Sequence, residues 1–160
     1  MESDINVQKA KDNQNLTDME KKHIPVIEAP ADIIAGEPFE VKVSIGSIPH
    51  VMEEDHYIQW IELHIDDNFV GKKELKPTDG KAEAVFTVVG TEEMISAREI
   101  MNCRVHGFGV CGTCGTRSAI VNLTAVEGCN VHDLWENSKG IEVISATVKP
   151  GKKCEWGPEL

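Results

Sequence analysis

Histidine and cysteine are the side chains that most often bind transition metals, and three short loop segments of this 160-residue chain hold most of its histidines and one of its cysteines. In chain order, the candidates are His23, His50, His56, Cys129 and His132. Neutral imidazoles and a thiolate suit iron, zinc or copper better than magnesium or calcium. The loop that holds His50 and His56 is long enough to fold back and present both rings to one ion, and Cys129-x-x-His132 is a recurrent metal-binding spacing. The sequence therefore predicts a transition-metal site built in loops.

Two further segments carry histidines that need separate interpretations. Cys103 and His106 repeat the C-x-x-H spacing and are a rival ligand pair. His64 alternates in phase with Trp60 and Glu62, so the three lie on one face of a predicted strand, and this favours a structural role for His64. From spacing alone, either Cys–His pair remains a candidate.

Alternation of apolar and polar residues predicts the elements that must position these loops. Phe39, Val41 and Val43, for example, alternate with polar neighbours, which is typical of a half-buried strand. Such patterns and the turn signals between them predict strands over residues 39–45, 57–65, 69–75, 82–89, 94–101, 119–126 and 141–148. The segment 94–101 also fits a helix, and we take it as a strand. Seven short strands with frequent turns predict an all-β, immunoglobulin-like antiparallel sandwich.

The same patterns divide the chain. Residues 1–21 are polar and without periodicity, so we expect an N-terminal arm or a frayed helix. We expect the sandwich over residues 22–148, with a cysteine-rich loop inserted at 102–117, because the four glycines of that loop do not suit a strand interior. Residues 149–160 are expected to form a C-terminal tail that contributes a cysteine.

Composition limits the classes of partner. The 16 Lys and Arg against 27 Asp and Glu give a formal net charge of −11, which argues against binding to nucleic acid or to an anionic membrane. The N-terminus lacks the apolar core of a signal peptide, and no stretch approaches the ~18 apolar residues of a membrane span. All five cysteines lie in the C-terminal part, which disfavours a secreted disulfide framework. We therefore expect a cytoplasmic protein.

Three stretches together resemble one known family. They read K-H-I-P-V-I, G-S-I-P-H-V-M-E-E-D-H-Y-I-Q-W-I-E-L and L-T-A-V-E-G-C-N-V-H-D-L-W-E. These are similar to the superoxide reductases, which include neelaredoxin and the centre-II part of desulfoferrodoxin. The resemblance covers residues 20–137 apart from the inserted loop, and it implies an immunoglobulin-like sandwich.

The resemblance implies a mononuclear iron with four equatorial histidines, one axial cysteine and one open position. The ligands of the family fall on His23, His50, His56, Cys129 and His132. The residues that flank Cys129 and His132 match the family as well, which favours this pair over Cys103 and His106. A thiolate opposite the open position would push charge toward bound superoxide, which takes one electron and leaves as hydrogen peroxide after protonation.

The match has two departures, at the first histidine and after the last. Lys22 matches the lysine that draws superoxide in, but Lys21 stands where the family has glutamate. Glu20 is one residue out of register and is the candidate for that catalytic carboxylate. Asp133 stands where the family usually has glycine, and we expect it to be tolerated because Asp adopts left-handed backbone conformations more readily than most residues.

Four cysteines remain once Cys129 is assigned: Cys103, Cys111, Cys114 and Cys154. The directions of the predicted strands bring them to one end of the sandwich. Four converging thiols suit a 4Fe-4S cluster, as in the methanoferrodoxin subgroup that this chain resembles, or a zinc ion. Inert thiols are the third alternative. Residues 118–128 would separate these thiols from the iron by roughly 30 Å at ~3.3 Å per residue, so a cluster that feeds the iron predicts a homo-oligomer.

The sequence thus predicts a superoxide reductase that takes electrons from a small redox protein such as rubredoxin. The alternative is a non-catalytic, zinc-binding sandwich that serves as an adaptor, or a thiol redox sensor that uses Cys111 and Cys114. The five-ligand set with Lys22 beside it separates the two, because a scaffold needs neither an open position nor a steering lysine.

Overall fold

The fold is built mainly from β-strands. The computed structural model describes residues 7–97, 102–103 and 117–146. Within these ranges the strands are β1 (Val7–Gln8), β2 (Pro25–Glu28), β3 (Asp32–Ile34), β4 (Pro38–Ile45), β5 (Ile58–Ile65), β6 (Asn68–Glu74), β7 (Glu83–Val89), β8 (Asn102–Cys103), β9 (Arg117–Cys129) and β10 (Asp133–Ile144). The helices there are α1 (Asp18–His23), α2 (Glu92–Ser96) and a 3-10 turn at Pro77–Asp79. None of the helices described is long and apolar enough to cross a membrane.

The strands form two sheets. The larger sheet has the order β1-β10-β9-β5-β6, with β3 beside β10 and β8 beside β9, and the smaller sheet has the order β2-β4-β7. Side chains of β4 alternate between exposed and buried along most of the strand, as its sequence predicts. The predicted mostly-β, sandwich-like fold is confirmed. The strands that the sequence did not reveal are β1, β2, β3 and β8, which have two to four residues each and are too short to show alternation.

One predicted strand is a helix. Residues 92–96 form α2, so the strand predicted over 94–101 is wrong where the structure describes it; residues 98–101 lie outside the described residues. Thr91 caps the helix, with its Oγ1 accepting a hydrogen bond from the backbone N–H of Met94 at 3.3 Å. Two acidic residues in the first turn add a favourable charge, and Ile95 is fully buried. One cap and one buried side chain decide the conformation here.

The last strand begins earlier than the sequence predicts. β10 starts at Asp133 rather than near Ile141. Its polar middle, residues 136–140, hides the alternation that Ile141 and Val143 show. Asp133 has φ of 66°, so the expectation that aspartate takes a left-handed conformation at this position is confirmed.

The described residues divide into two compact units. The first comprises residues 7–29, 40–86 and 122–139, and the second comprises 30–39, 87–97, 102–103, 117–121 and 140–146. The first unit has strands of both sheets, and a Cβ on Gly71 of β6 would lie 3.3 Å from the Phe86 ring of β7. Its fully buried apolar side chains are Val41, Val43, Ile58, Ile61, Leu63, Leu123 and Ala125. The second unit buries Val88, Ile95, Val121, Ile141 and Val143.

Strand register within the first unit brings the metal-binding segments together. β2 pairs with β4 so that Pro25 lies opposite Ile45, which places the end of α1 beside the start of the loop that holds His50. β5 pairs with β9 so that Ile58 lies opposite Cys129, which places the end of the same loop beside the turn between β9 and β10. Segments that are far apart in sequence therefore meet at one place.

Candidate metal centre

Four imidazoles form a ring in the order His23, His50, His56, His132. Neighbouring ring centroids are 4.7 to 4.9 Å apart, and neighbouring ring planes are nearly perpendicular, at 67 to 84°. The diagonal from His23 to His56 is longer, at 6.4 Å. This square arrangement is the one that four equatorial ligands of a single ion would take.

Cys129 is the fifth donor. Its Sγ lies 3.6 Å from Nε2 of His50 and 3.8 Å from Nδ1 of His132, and the residue is only 5% exposed. The donor atoms of His23, His56, Cys129 and His132 all lie within 4.8 Å of one another. The structure thus brings together the five residues that the resemblance implied as ligands.

Hydrogen bonds on the outer side of two rings fix which nitrogen faces the centre. Nδ1 of His23 lies 2.8 Å from the carbonyl oxygen of Met19, and Nδ1 of His50 lies 2.6 Å from that of Val51. A carbonyl only accepts, so each Nδ1 carries the proton and each neutral Nε2 presents a lone pair. These two Nε2 atoms are 3.2 Å apart with no proton to place between them. A cation bound by both nitrogen atoms would remove the repulsion between their lone pairs.

His56, on the opposite side of the ring of imidazoles, also points to a shared cation. Backbone hydrogen bonds between Glu53 and His56, of 2.9 and 3.0 Å, hold the residue in a tight bridge. Its Nε2 is buried and has no hydrogen-bond partner among the described residues. A buried polar atom without a partner is costly, and a metal ion would satisfy it. The donor set therefore fits a transition metal.

Burial keeps three of the imidazoles and the thiol of the metal-free protein uncharged. It lowers the pKa values of His23 and His56, and that of His50 to about 4, so these imidazoles are neutral at pH 7. It raises the pKa of the Cys129 thiol. These three imidazoles can coordinate a metal directly, whereas the thiol must lose its proton when a metal binds.

The ring of imidazoles opens on one side into a cavity of about 310 Å³. All four imidazoles line it, whereas Cys129 does not. Lys22 lies at this cavity and is exposed, where sequence reasoning expected the steering lysine. The other lining residues are Asp18, Met19, Pro49 and Val51. The accessible face of the centre is therefore away from the thiol.

The structure does not bring the Glu20 carboxylate to the ring of imidazoles. Glu20 lies in the first turn of α1 and is 5% exposed. Its Oε1 accepts a hydrogen bond from the Thr17 N–H at 2.8 Å, and its Oε2 accepts one from the Lys11 N–H at 3.1 Å. These backbone hydrogen bonds lower the pKa of Glu20. The carboxylate is part of a capping box at the start of the helix.

The remaining predicted site residues lie elsewhere. The backbone of Cys103 pairs with that of Arg117 between β8 and β9. His106, Cys111, Cys114 and Cys154 lie outside the described residues. His64 Nε2 contacts Glu62 Oε2 at 3.3 Å, which agrees with a structural role on β5.

Sequence reasoning missed the roles of two residues near the centre. Trp135 stacks on His23, with ring centroids 5.2 Å apart, and its Nε1 donates to the carbonyl of His132 at 2.9 Å. Glu127 is fully buried on the same strand as Cys129, without a hydrogen-bond partner for its carboxyl among the described residues, and burial raises its pKa to about 9. The sequence does contain a sign of Glu127, because it is a charged residue at one of the alternate positions of β9 that are buried. No sequence pattern marks the role of Trp135.

Comparisons with known proteins point to one family. A family model described as Desulfoferrodoxin matches residues 15–110. A desulfoferrodoxin homolog of Archaeoglobus fulgidus is 44% identical over 88 residues, which are 55% of this chain and 60% of that protein. A superoxide reductase of Thermococcus kodakarensis is 30% identical over 129 residues, which are 76% of this chain and 89% of that protein.

A solved structure is also similar to this chain. The superoxide reductase (neelaredoxin) from Ignicoccus hospitalis is 30% identical, with a TM-score of 0.54, over 76% of this chain and 80% of its own. The chain spans less than two thirds of the length of the Archaeoglobus fulgidus relative.

Proposed function

The chain belongs to the desulfoferrodoxin family, and from this premise we propose that it is a superoxide reductase with a mononuclear iron centre. The reaction is the one-electron reduction of superoxide, O2•− + e− + 2H+ → H2O2. The observation that carries the proposal is the square of four imidazoles with a thiol on one side and an open cavity on the other.

The donor set fits iron. His23, His50, His56, His132 and Cys129 would hold the ion. A bound iron would supply the electron and one open coordination position. The burial of Cys129 keeps water from the sulfur, and the carbonyls of Met19 and Val51 orient the imidazoles of His23 and His50.

Lys22 has the task of attracting the substrate. The chain carries a net charge of −11, which repels superoxide at long range. An exposed ammonium group at the mouth of the cavity makes the local potential more positive where the anion must enter. We keep Glu20 as a candidate for the catalytic carboxylate on the basis of the resemblance alone.

A zinc adaptor is less well supported. Structural zinc sites have four ligands and no open position. Five converging donors and a cavity lined by the imidazoles favour a centre that binds a small molecule instead.

The proposal is tested by the stoichiometry of peroxide formation. Iron-loaded, reduced protein is mixed rapidly with superoxide under anaerobic conditions, and hydrogen peroxide is quantified. Reduction yields one peroxide per superoxide, whereas dismutation yields one peroxide per two. A thiolate-to-Fe(III) absorption band should bleach on reduction and return during the reaction. A yield no higher than that of dismutation would reject the proposal.

We further propose, from the sequence argument, that Cys103, Cys111, Cys114 and Cys154 hold a 4Fe-4S cluster, with zinc as the alternative metal. The electron donor would be a small redox protein such as rubredoxin, and the protein a cytoplasmic homo-oligomer. The triple change of Cys111, Cys114 and Cys154 to Ser should spare the first reaction of prereduced iron but slow its re-reduction. Unchanged re-reduction in that variant would leave the four cysteines without a role in electron supply.

A further inference from the structure

The segment before α1 connects two elements that carry metal-binding residues. We call residues 7–17 the clasp. At its start, β1 pairs in parallel with β10, and Gln8 lies opposite Trp135. At its end, Thr17 caps α1, the helix that carries His23. The clasp therefore joins the strand that follows His132 to the helix of another ligand.

The end of the clasp is tied to α1 through Glu20. The two carboxylate oxygens of Glu20 accept backbone N–H groups from Lys11 and from Thr17, at 3.1 and 2.8 Å. Glu20 lies one turn before His23 on the same helix, and the backbone N–H of Ile24 donates to the Glu20 carbonyl at 2.9 Å. Hydrogen bonds to an ionised carboxylate are the stronger kind. This end of the clasp is firmly held.

The start of the clasp donates a hydrogen bond to the carbonyl oxygen of His132. The side-chain amide of Gln8 donates to this oxygen at 3.3 Å, and Nε1 of Trp135 donates to the same oxygen at 2.9 Å. A carbonyl has two lone pairs, so both donors can be accommodated. Hydrogen bonds from the clasp and from β10 thus hold the backbone of His132, one of the proposed metal ligands.

The orientation of His132 makes its backbone position important. His132 faces the centre with Nδ1, which lies 3.1 Å from Nε2 of His23, whereas His23 and His50 use Nε2. Nδ1 is the ring nitrogen nearer the backbone, so a shift of the His132 peptide moves this donor directly. An Nε2 donor, at the far end of the ring, can compensate by rotating about its side-chain bonds.

A cavity of about 460 Å³ lies beside the clasp, and its lining includes Gln8, Lys11, Glu20 and Trp135. Next to this space, hydrogen bonds at the two ends attach the clasp to β10 and to α1.

We infer that Gln8 is a positioning residue for the metal centre, and that the clasp sets the location of the His132 donor through it. The inference rests on the proposed function, because it concerns the same centre. Partners in the outer shell of a metal site commonly change metal affinity by 10- to 100-fold. Gln8 acts one step further out, through the backbone, so we expect an effect of about tenfold, at the lower end of that range.

The test compares Gln8→Glu with Gln14→Glu in the full chain. Glu has the shape of Gln but its carboxylate cannot donate to the His132 carbonyl. Gln14 lies in the same clasp, is exposed, and contributes only its backbone N–H, which donates to Asp12 at 3.0 Å. The two variants therefore carry the same charge change. The affinity for Co²⁺ is measured by competition with a chelator, together with the thiolate-to-Co²⁺ absorption band; the reduction potential is measured on iron-loaded protein.

We expect Gln8→Glu to raise the Co²⁺ dissociation constant about tenfold and to shift both the band and the potential, whereas Gln14→Glu matches the parent. Equal affinity, band and potential in the two variants would overturn the inference. If Gln8→Glu does not fold, Gln8→Met, which removes the donor at similar volume, decides in the same way. A parent protein without a thiolate-to-Co²⁺ band would instead contradict the proposed function, so the two failures are distinguishable.

Discussion

Among the five proposed donors, Cys129 is the one that would become an anion on binding a metal. Its burial and its position away from the cavity mean that it contributes charge to the ion rather than contact with substrate. We expect Cys129→Ser to lose the thiolate absorption band and superoxide reduction while circular dichroism stays unchanged, because the apolar core of the first unit does not depend on the sulfur. Activity retained in this variant, with loss instead in Cys103→Ser, would favour the rival ligand pair.

Lys22 should affect the rate of encounter rather than the chemistry. We expect Lys22→Ala to slow the second-order reaction with superoxide several-fold at low ionic strength, because it removes the exposed cation at the cavity. The defect should shrink as salt rises, since the Debye length is ~8–10 Å at physiological salt. Lys81→Ala is the control, because Lys81 is also exposed but does not line the cavity. Equal rates for the two variants in stopped-flow experiments at low salt would remove Lys22 from the mechanism.

Glu127 predicts a pH dependence of the stability of the metal-free protein. Burial raises its folded-state pKa to about 9 from an ordinary value of 4.5, so the folded chain keeps a proton that the unfolded chain releases. Stability from this group is therefore fully present below pH 4.5 and is lost as the pH rises toward 9. We expect Glu127→Gln, which cannot ionise, to be more stable than the parent at pH 8, by roughly 2–5 kcal/mol, and no more stable at pH 4.5.

Urea unfolding at both pH values measures this difference. Glu40→Gln, at an exposed position of β4, is the control and should change stability little at either pH. A Glu127→Gln variant without a stability gain at pH 8 would show that the carboxyl group is already ionised or paired in the folded protein.

At the level of residues, the sequence predicted donor types better than donor orientation. Histidine and cysteine at these spacings indicate metal chemistry because few other roles need them together. The outward hydrogen bond of His50 to a backbone carbonyl depends on the loop conformation, which no residue pattern encodes. Glu20 shows the same limit, since its carboxylate binds two backbone N–H groups that only the folded clasp brings within reach.

Among the elements, the loop between β4 and β5 depends on one glycine. Gly46 has φ of 84°, and a Cβ there would clash with the carbonyl oxygen of Ile48 in the same loop and would lie 2.7 Å from the Lys22 carbonyl oxygen and 2.8 Å from that of Lys21. We expect Gly46→Ala to cost about 1–3 kcal/mol of stability and to weaken Co²⁺ binding, because the loop that holds His50 must change its own turn and move away from α1. Denaturant unfolding and metal titration measure the two effects.

Gly80 offers a matched control for this prediction. It also has a positive φ, of 80°, but a Cβ there would meet nothing within 4 Å. Gly80→Ala should therefore show only the backbone strain of about 1–2 kcal/mol and unchanged Co²⁺ affinity. Weaker metal binding in Gly80→Ala to the same degree would mean that loss of stability, not the contacts with Ile48 and α1, explains the effect at Gly46.

The elements were predictable where alternation was long enough to be read. β4 and β5, with eight residues each, follow their sequence patterns closely. α2 has only five residues, too few for a helical period to be read from the sequence, and the Thr91 cap marks its start. Strand pairing such as Ile58 opposite Cys129 is a property of the folded sheets, and the sequence alone does not specify it.

For the molecule as a whole, the metal should act as a cross-link within the first unit. All five donors belong to that unit, yet they come from segments that start at residue 23 and end at residue 132. A ligand that binds only the folded state stabilises it by about 2.7 kcal/mol at a hundred times its dissociation constant. For a chain of this size, that corresponds to a rise in Tm of about 5–10 °C.

We therefore expect Co²⁺, and Fe²⁺ under anaerobic conditions, to raise the thermal transition followed by tryptophan fluorescence. Trp60 and Trp135 both lie in the first unit, so they report its unfolding; Trp156 lies outside the described residues. Mg²⁺ at the same concentration should leave the transition unchanged, because imidazole and thiolate donors do not suit it. Cys129→Ser should respond less to Co²⁺ than the parent does. An equal shift with Mg²⁺, or no shift with Co²⁺, would mean that the five donors do not act together on one ion.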